Sequence, residues 1–445
     1  MTEKYGDRRD RPKEVTFCTG IRPEQRLCPR RRFCAAWTVP SVTVFRSVTT
    51  IMEIHRSILE HIDAEAIARD TLAFVEVKSE TGQEGPGSIF LADLLRREGF
   101  EVSLDEVEPG RSNVYAHVQG GNGGRSLLFN GHTDTIPIGS SQPPAVDGDW
   151  IVGRGAEDMK GGLVAMVHAA SALRKAGIRL GGDLWLTGVV GHETPAGKKE
   201  GPRRLIRCLQ NSTIQADAIV IVEGPCALWI ASLGSTIFRV TITSPRGPIH
   251  TIKVPYGQNP ARWLGRLLEE FERLEQEFTA ISPHPLCGRE QLNVGMIEAG
   301  DYVNRLPTPI RVTGTWRWMP GKTQEQIRAA LQLLCDRLSS QSGLAFSFSL
   351  EATREPFETR ADDPIVQAFD SAGKRVTGRA PERIGMALVG DANLFANEAG
   401  VPAIYYGPAH ETAHSDHERV SARQLAHCAK VYALAAIEYC GISNP

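Results

Sequence analysis

The first well-patterned stretch, Ile58–Leu95, repeats apolar positions at helical spacing, interrupted by a Gly- and Ser-rich turn around Ser79–Gly87. Short apolar runs of strand length follow at Asn113–Val118, Ser126–Asn130, Leu184–Val190, Ala218–Val222 and Val401–Tyr406. Between the second and third, Leu163, Met166, Val167, Ala170 and Leu173 share one face of a helix predicted over Gly161–Lys175. Strands alternating with helices predict an α/β fold, its sheet carrying helices on both faces. The run Gly120-Gly121-Asn122-Gly123-Gly124 lacks the Gly-Lys-Ser/Thr ending of a phosphate loop. Lying between two strand patterns, it predicts a hairpin turn.

A different rhythm occupies residues 233–351. Ile237–Ile242 alternates, with Phe238, Val240 and Ile242 on one side. An amphipathic helix follows, carrying Trp263, Leu264, Leu267, Leu268, Phe271, Leu274 and Phe278. Strands are predicted near Gln291–Ile297 and Ile310–Trp316. A second helix opens on Thr323 and Gln326, a Thr-x-x-Gln capping box, and presents Ile327, Ala330, Leu331 and Leu334. The order β-α-β-β-α-β is that of a ferredoxin-like α+β layer. It predicts an inserted domain that divides the α/β fold into residues 52–232 and 352–445.

Composition narrows the function classes. A chain of 445 residues with formal net charge −2 has room for two cores and carries no chain-wide basic field for nucleic acid or an anionic membrane. No apolar run approaches the roughly 20 residues of a spanning helix. Nine scattered cysteines without a Cys-x-x-Cys pair predict reduced thiols and a cytoplasmic setting. Up to Arg46 eleven basic residues face five acidic ones. The basic run before Cys34–Phe45 lacks a convincing cleavage site, and the apolar segment is broken by Thr38, Pro40, Ser41 and Thr43. Residues 1–51 are therefore expected to be a disordered tail or a misassigned extension, with Met52 an alternative start.

Polar, ligand-capable residues cluster just after the predicted α/β strands. They are Asn130-Gly131-His132-Thr133-Asp134, Gly191-His192-Glu193-Thr194, Glu223-Gly224-Pro225 and Ala413-His414-Ser415-Asp416-His417-Glu418, with Gly155–Gly162 ahead of the helix. Ligands of open α/β sheets bind at the carboxyl ends of strands, so these five loops can share one crevice. Imidazoles and carboxylates as ligands, with one spare carboxylate as base, are what a hydrolytic zinc site needs. In His132-x-Asp134 a carboxylate can hold the imidazole's other nitrogen, and Asp158 has two oxygens with which to bridge two metals.

These motifs, GHTDT, DGDWIVGRGAEDMKGG, a strand ending in Glu223 and AHSDHERV, resemble a family of dinuclear-zinc peptidases and deacylases. That family includes acetylornithine deacetylase, succinyl-diaminopimelate desuccinylase, aminoacylase and carboxypeptidase G. The resemblance covers nearly everything after Met52 and implies a zinc-peptidase-like catalytic sheet interrupted by a ferredoxin-like lid and dimerisation domain. It also implies that His132 and Glu223 bind one zinc, His414 the other, that Asp158 bridges them, and that the Asp158–Met159 peptide is cis. Cobalt or manganese could substitute for zinc.

One departure concerns two adjacent glutamates of the family, a general base followed by a ligand of the second metal; this chain has His192-Glu193-Thr194. The preferred alignment makes Glu193 the general base that takes the water's proton and puts Thr194, a poor neutral ligand, at the metal, leaving one zinc or a weak second one. The other makes Glu193 the ligand and His192 the base. In the inserted domain the resemblance assigns His250 to a partner subunit's active site, where it would stabilise the oxyanion, and Asn304 and Arg317 to the substrate. Arg317 suits bidentate binding of a carboxylate.

Together these readings predict a zinc-dependent amidohydrolase, a homodimer joined through the lid. It would act on a small N-acyl amino acid or short peptide, with neither nucleic acid nor membrane as partner. The alternative is a one-metal or non-catalytic family member, altered at Thr194 and serving as a binding subunit. Gly390-Asp391-Ala392-Asn393 resembles the family's SDA-type motif and is expected as a pocket-shaping turn. His410 and Glu411 are expected either to line the substrate pocket or to be solvated. His417 and Glu418 are not assigned as ligands, and Lys198-Lys199-Glu200 is expected to be a solvated face.

Overall fold

The computed structural model describes residues 52–121, 123–193 and 197–443. The amino-terminal extension and Thr194 therefore lie outside the described residues.

The larger sheet runs in the order β1 (Glu101–Glu108), β2 (Arg111–Val118), β6 (Leu184–Val189), β3 (Leu127–His132), β7 (Ala218–Ile221), β15 (Ala403–Tyr405), β8 (Leu228–Ser232) and β13 (Phe357–Glu358), with β14 (Arg383–Met386) also on β8. Its centre, β6-β3-β7-β15, is parallel. The middle strands are buried along their length, which is why β3 and β7 read as continuous apolar runs. Helix α1 covers residues 52–60, α2 Ala64–Glu76 and α3 Gly85–Arg97. Helix α4 is Gly161–Lys175, the span predicted from its apolar spacing. It is buried from Gly161 to Leu173, packed between β3 and the helices α2 and α10 (Ala422–Cys440). Helix α5 (Glu200–Gln210) packs against β1, β2 and β6, and α8 (Pro364–Thr377) against α10.

The chain leaves the larger sheet after Ser232 and returns at Phe357. Between these points β9 (Gly234–Thr243), β10 (Gln291–Glu298), β11 (Ile310–Trp318) and β12 (Ala345–Arg354) form an antiparallel sheet in the order β10-β11-β9-β12. Helices α6 (Pro260–Ala280) and α7 (Gln324–Ser342) complete the β-α-β-β-α-β order. Phe238, Val240 and Ile242 are buried with Leu267, Phe271, Ile327 and Leu331, so alternation and helical spacing meet in one core. The Thr323–Gln326 capping box starts α7 as the sequence predicts. A small third sheet joins β4 (Ala145–Asp147), β5 (Trp150–Val152) and β16 (Arg419–Ser421).

The glycine run is not a hairpin turn. Strand β6 lies between β2 and β3, so the chain crosses over it instead of pairing with itself. Close backbone approach explains the glycines: a Cβ on Gly124 would stand 2.0 Å from the Cys440 carbonyl oxygen, and one on Gly120 would stand 2.1 Å from that of Gly182. Strand β2 contains the predicted run Asn113–Val118, whereas its hairpin partner β1 is not legible, because it presents a mostly exposed, charged face.

Candidate metal and active site

Four parallel strands bring their carboxyl ends to one edge. In the ladders His132 pairs with Val189, and Ile221 with both Asn130 and Tyr405, so the loops that follow β3, β6, β7 and β15 begin at one level. Those loops carry Asp134, His192 and Glu193, Glu223, and His414. This is the crevice position of open α/β sheets. A fifth loop, Gly155–Lys160, brings in Asp158 ahead of α4, and its Asp158–Met159 peptide is cis.

At the centre the His132 Nε2 lies 3.0 Å from Asp158 Oδ1. The His414 Nε2 stands 3.1 Å from both Asp158 Oδ2 and Glu193 Oε1. Ligand atoms of His132, Asp158 and Glu193 lie within 4.8 Å of one another, and so do those of His132, His192 and Glu223. The His132 and His192 rings stack with centroids 4.1 Å apart. All but His192 and His414 are buried.

This donor set fits divalent metal. Burial and the neighbouring Asp158 charge push the Glu223 carboxyl up, a sign of negative charge without enough compensation. Burial alone would lower His132, but Asp158, Asp134 and Glu193 raise it well above the usual imidazole value. Bonds from Asp158 and Glu193 likewise push His414 up to about 10. A bound cation among these carboxylates takes over the role of those imidazolium protons, since a ligating histidine is neutral.

Asp134 acts mainly on the backbone. The His132 Nδ1 is 2.8 Å from the Asp134 carbonyl oxygen and 3.6 Å from its carboxylate. The carboxylate instead accepts from the amides of His192 at 3.1 Å and Glu193 at 2.8 Å, and from the Thr81 hydroxyl. It thereby sets the loop that carries both candidate bases. Glu418, close in sequence to His414 and not assigned as a ligand, has a similar function. Its Oε1 accepts from the amides of Gly155, Glu157 and Asp158, while its Oε2 pairs with Arg154 at 2.6 Å.

The roles of two residues lie outside the sequence reading, which places Asp391 in a pocket-shaping turn and Lys199 on the surface. Lys199, expected in a solvated face, is buried and lines the cleft, its Nζ 3.2 Å from Asp391 Oδ1. Asp391, a 1 % exposed carboxylate at the start of the single turn α9 (Asp391–Leu394), bonds His192 Nδ1 at 2.9 Å. Despite its burial, His192 and Lys199 hold the Asp391 carboxyl well below the usual carboxylate range. Neither residue stands in a recognisable motif with His192, so chain spacing carried no signal of the contact.

The cleft, about 500 Å³, is walled on one side by this cluster and on the other by Ser235, Ile237, Thr315 and Arg317 of the smaller sheet. Of the residues assigned to the inserted domain, Arg317 is thus placed at the cleft. His250 and Asn304 are not among its lining residues. They are exposed and adjacent, with the Thr251 amide donating to the Asn304 carbonyl at 2.9 Å. The described cysteines are free thiols, and no described helix is long and apolar enough to cross a membrane.

The sequence profile of peptidase family M20/M25/M40 matches residues 128–438. Among curated proteins, N-formyl-4-amino-5-aminomethyl-2-methylpyrimidine deformylase of Bacillus subtilis is 25 % identical over 426 residues, covering 88 % of this chain and 98 % of the relative. Succinyl-diaminopimelate desuccinylase of Methylorubrum extorquens is 28 % identical over 391 residues, covering 81 % and 95 %. Among solved structures, aminopeptidase PepT of Bacillus cereus superposes with a TM-score of 0.71 at 18 % identity, covering 85 % of this chain and 99 % of that one. At that identity the likeness concerns the fold.

Proposed function

Because the chain belongs to peptidase family M20/M25/M40, we propose that it is a metal-dependent hydrolase of an N-acyl amide or peptide bond beside a carboxylate. The observation that carries this reading is the convergence of His132, Asp158, Glu193, Glu223 and His414 at the ends of four parallel strands.

His132 and Glu223 would hold one zinc, His414 the other, and Asp158 both, with cobalt or manganese as substitutes. When bound, the metal polarises the scissile carbonyl and makes water nucleophilic near neutral pH. Of the two alignments of His192-Glu193-Thr194, the contact between Glu193 and His414 supports the one in which Glu193 is the carboxylate of the second site. A second metal then needs nothing from Thr194. His192, tethered by Asp391 through Nδ1, takes the proton of the attacking water and returns it to the leaving amine. Asp134 positions both residues through their amides, and Arg317 meets the substrate carboxylate.

His250, with Asn304 beside it, serves the partner's cleft in a homodimer joined through the smaller layer, which acts as a lid. The exposure of Ile252, Tyr256, Tyr302 and Val303 around these residues supports an interface there. Light scattering should return twice the subunit mass.

Elemental analysis with turnover of an N-acyl amino acid panel tests the assignment. The wild type should bind two zincs, Glu193→Gln about one, and His192→Gln two with turnover reduced by roughly 10²–10⁴. Two zincs and lost turnover in Glu193→Gln would return the base role to Glu193. A wild type with neither zinc nor turnover would leave the binding-subunit reading standing.

A further inference from the structure

Three strands of the smaller sheet set three residues side by side at the cleft. Ser235 on β9 pairs with Arg317 on β11 and with Arg354 on β12. Directly opposed residues share a face, and all three line the cleft. With neighbouring strands about 4.8 Å apart, the two arginine Cα atoms stand about 10 Å apart across the small serine. Both side chains are long enough to close on a ligand lying over it.

A bulge builds this row. On β12 Glu351 and Arg354 are three positions apart, while their partners on β9, Ile237 and Ser235, are two apart. Without the extra residue Thr353 would face the cleft. With it, Thr353 turns to the opposite side, its hydroxyl 2.8 Å from that of Thr236, and Arg354 comes to the cleft. The insertion holds Ala352 at φ 50, a left-handed conformation unfavourable for a residue with a side chain. Bulges beside active sites commonly re-aim one side chain.

Neither arginine has an acidic partner there. Among the described residues no carboxylate oxygen comes within 4.0 Å of Arg317 or Arg354. Each donates through Nη1 to a backbone carbonyl, Arg317 to Ala387 and Arg354 to Thr353. Both are half-buried, and burial lowers both guanidinium pKa values. Lys199, the other cation of the cleft, is matched by Asp391. Arg354 feels Asp391 and Glu398 only from beyond 4.0 Å, so two partly desolvated guanidinium groups without an ion-paired carboxylate leave places for two negative charges, and their planar forks suit carboxylates.

We propose that Arg354 is a second anion-binding residue that works with Arg317 across Ser235, and that the substrate carries two carboxylates. This rests on the hydrolase reading and narrows its substrate class. Calorimetric titration of the zinc-loaded full chain with tricarballylate and with glutarate tests it, because both probes offer one carboxylate to the metal and one to Arg317, and only tricarballylate offers a third for Arg354. The wild type should bind tricarballylate at least tenfold more tightly than glutarate. Arg354→Ala should bring the two within about twofold, and Arg354→Lys, which keeps the charge, should retain part of the preference. Equal binding by the wild type, no binding of either, or a preference that survives Arg354→Ala would overturn the proposal. Failure of the hydrolase reading would show separately, as absence of turnover on the N-acyl panel with tricarballylate selectivity intact.

Discussion

The His192 imidazole and the Asp391 carboxylate, 199 positions apart in the chain, meet at 2.9 Å beneath the cleft. Lys199 reaches the other carboxylate oxygen at 3.2 Å, so a buried anion is shared by one imidazole and one ammonium. The triad couples the β6 end to the turn at α9, and so to the wall of the site.

Replacing Asp391 with Asn should therefore act twice. Loss of the negative partner strands the buried Lys199 charge and should cost roughly 1–3 kcal/mol of stability. Loss of the His192 tether should lower kcat by about 10–100-fold, the usual effect of removing a group that orients an active-site residue. Adding Lys199→Met should restore part of the melting temperature and none of the rate. Full recovery of both would show that Asp391 only balances charge.

Glu418→Gln keeps the side chain's shape and removes its charge. It leaves Arg154 without its buried partner and weakens acceptance of the Gly155, Glu157 and Asp158 amides. Metal affinity should fall about tenfold through the loosened Asp158 loop. Competition with a zinc chelator measures it, and unchanged affinity would confine Glu418 to a structural role.

Away from the site, burial raises the Asp70 pKa, but bonds from His168 at 2.8 Å and Arg97 outweigh it and hold the carboxyl below its ordinary value. A depressed carboxylate stabilises fully above about pH 4 and loses that contribution as pH falls through the folded value. Asp70→Asn should thus cost roughly 1–2 kcal/mol at neutral pH, with the difference shrinking below about pH 4. Melting curves of chelator-treated wild type and variant across pH would show it. A gap independent of pH would assign the loss to packing.

Gly162 and Gly265 offer a matched pair. A Cβ on Gly162, in α4, would stand 1.8 Å from the Val222 carbonyl oxygen, whereas one on Gly265, in α6, meets nothing within 4 Å. Gly162→Ala should destabilise by about 3 kcal/mol, because backbone must move. Gly265→Ala should stabilise by up to about 1 kcal/mol through helix propensity. Chemical denaturation of both variants distinguishes close packing from propensity.

Local pattern foretold much of this molecule. Helix α4, the central strands, the β-α-β-β-α-β order and the Thr323 cap are visible because apolar spacing and cap chemistry are properties of neighbouring residues. His132, Glu223 and His414 are visible because ligand-capable residues recur in several loops after apolar strands, and Asp158 because its motif ahead of α4 resembles that of the family. Short edge elements such as β13 and β14 left no period to read, and the exposed face of β1 hid its alternation.

Other features depend on which distant segments the fold brings into contact. The placement of β6 between β2 and β3 turned a supposed hairpin into a crossover. Strand register decided that Arg354, rather than Thr353, faces the cleft, and the meeting of the loop before α5 with the turn at α9 decided that Lys199 belongs to the interior with Asp391. Periodicity records which side of an element is buried, because burial free energy acts on each residue where it stands. It does not record the partner across the gap, since a charge pair or a ligand contact is a property of two positions, and only the folded chain sets the distance between them.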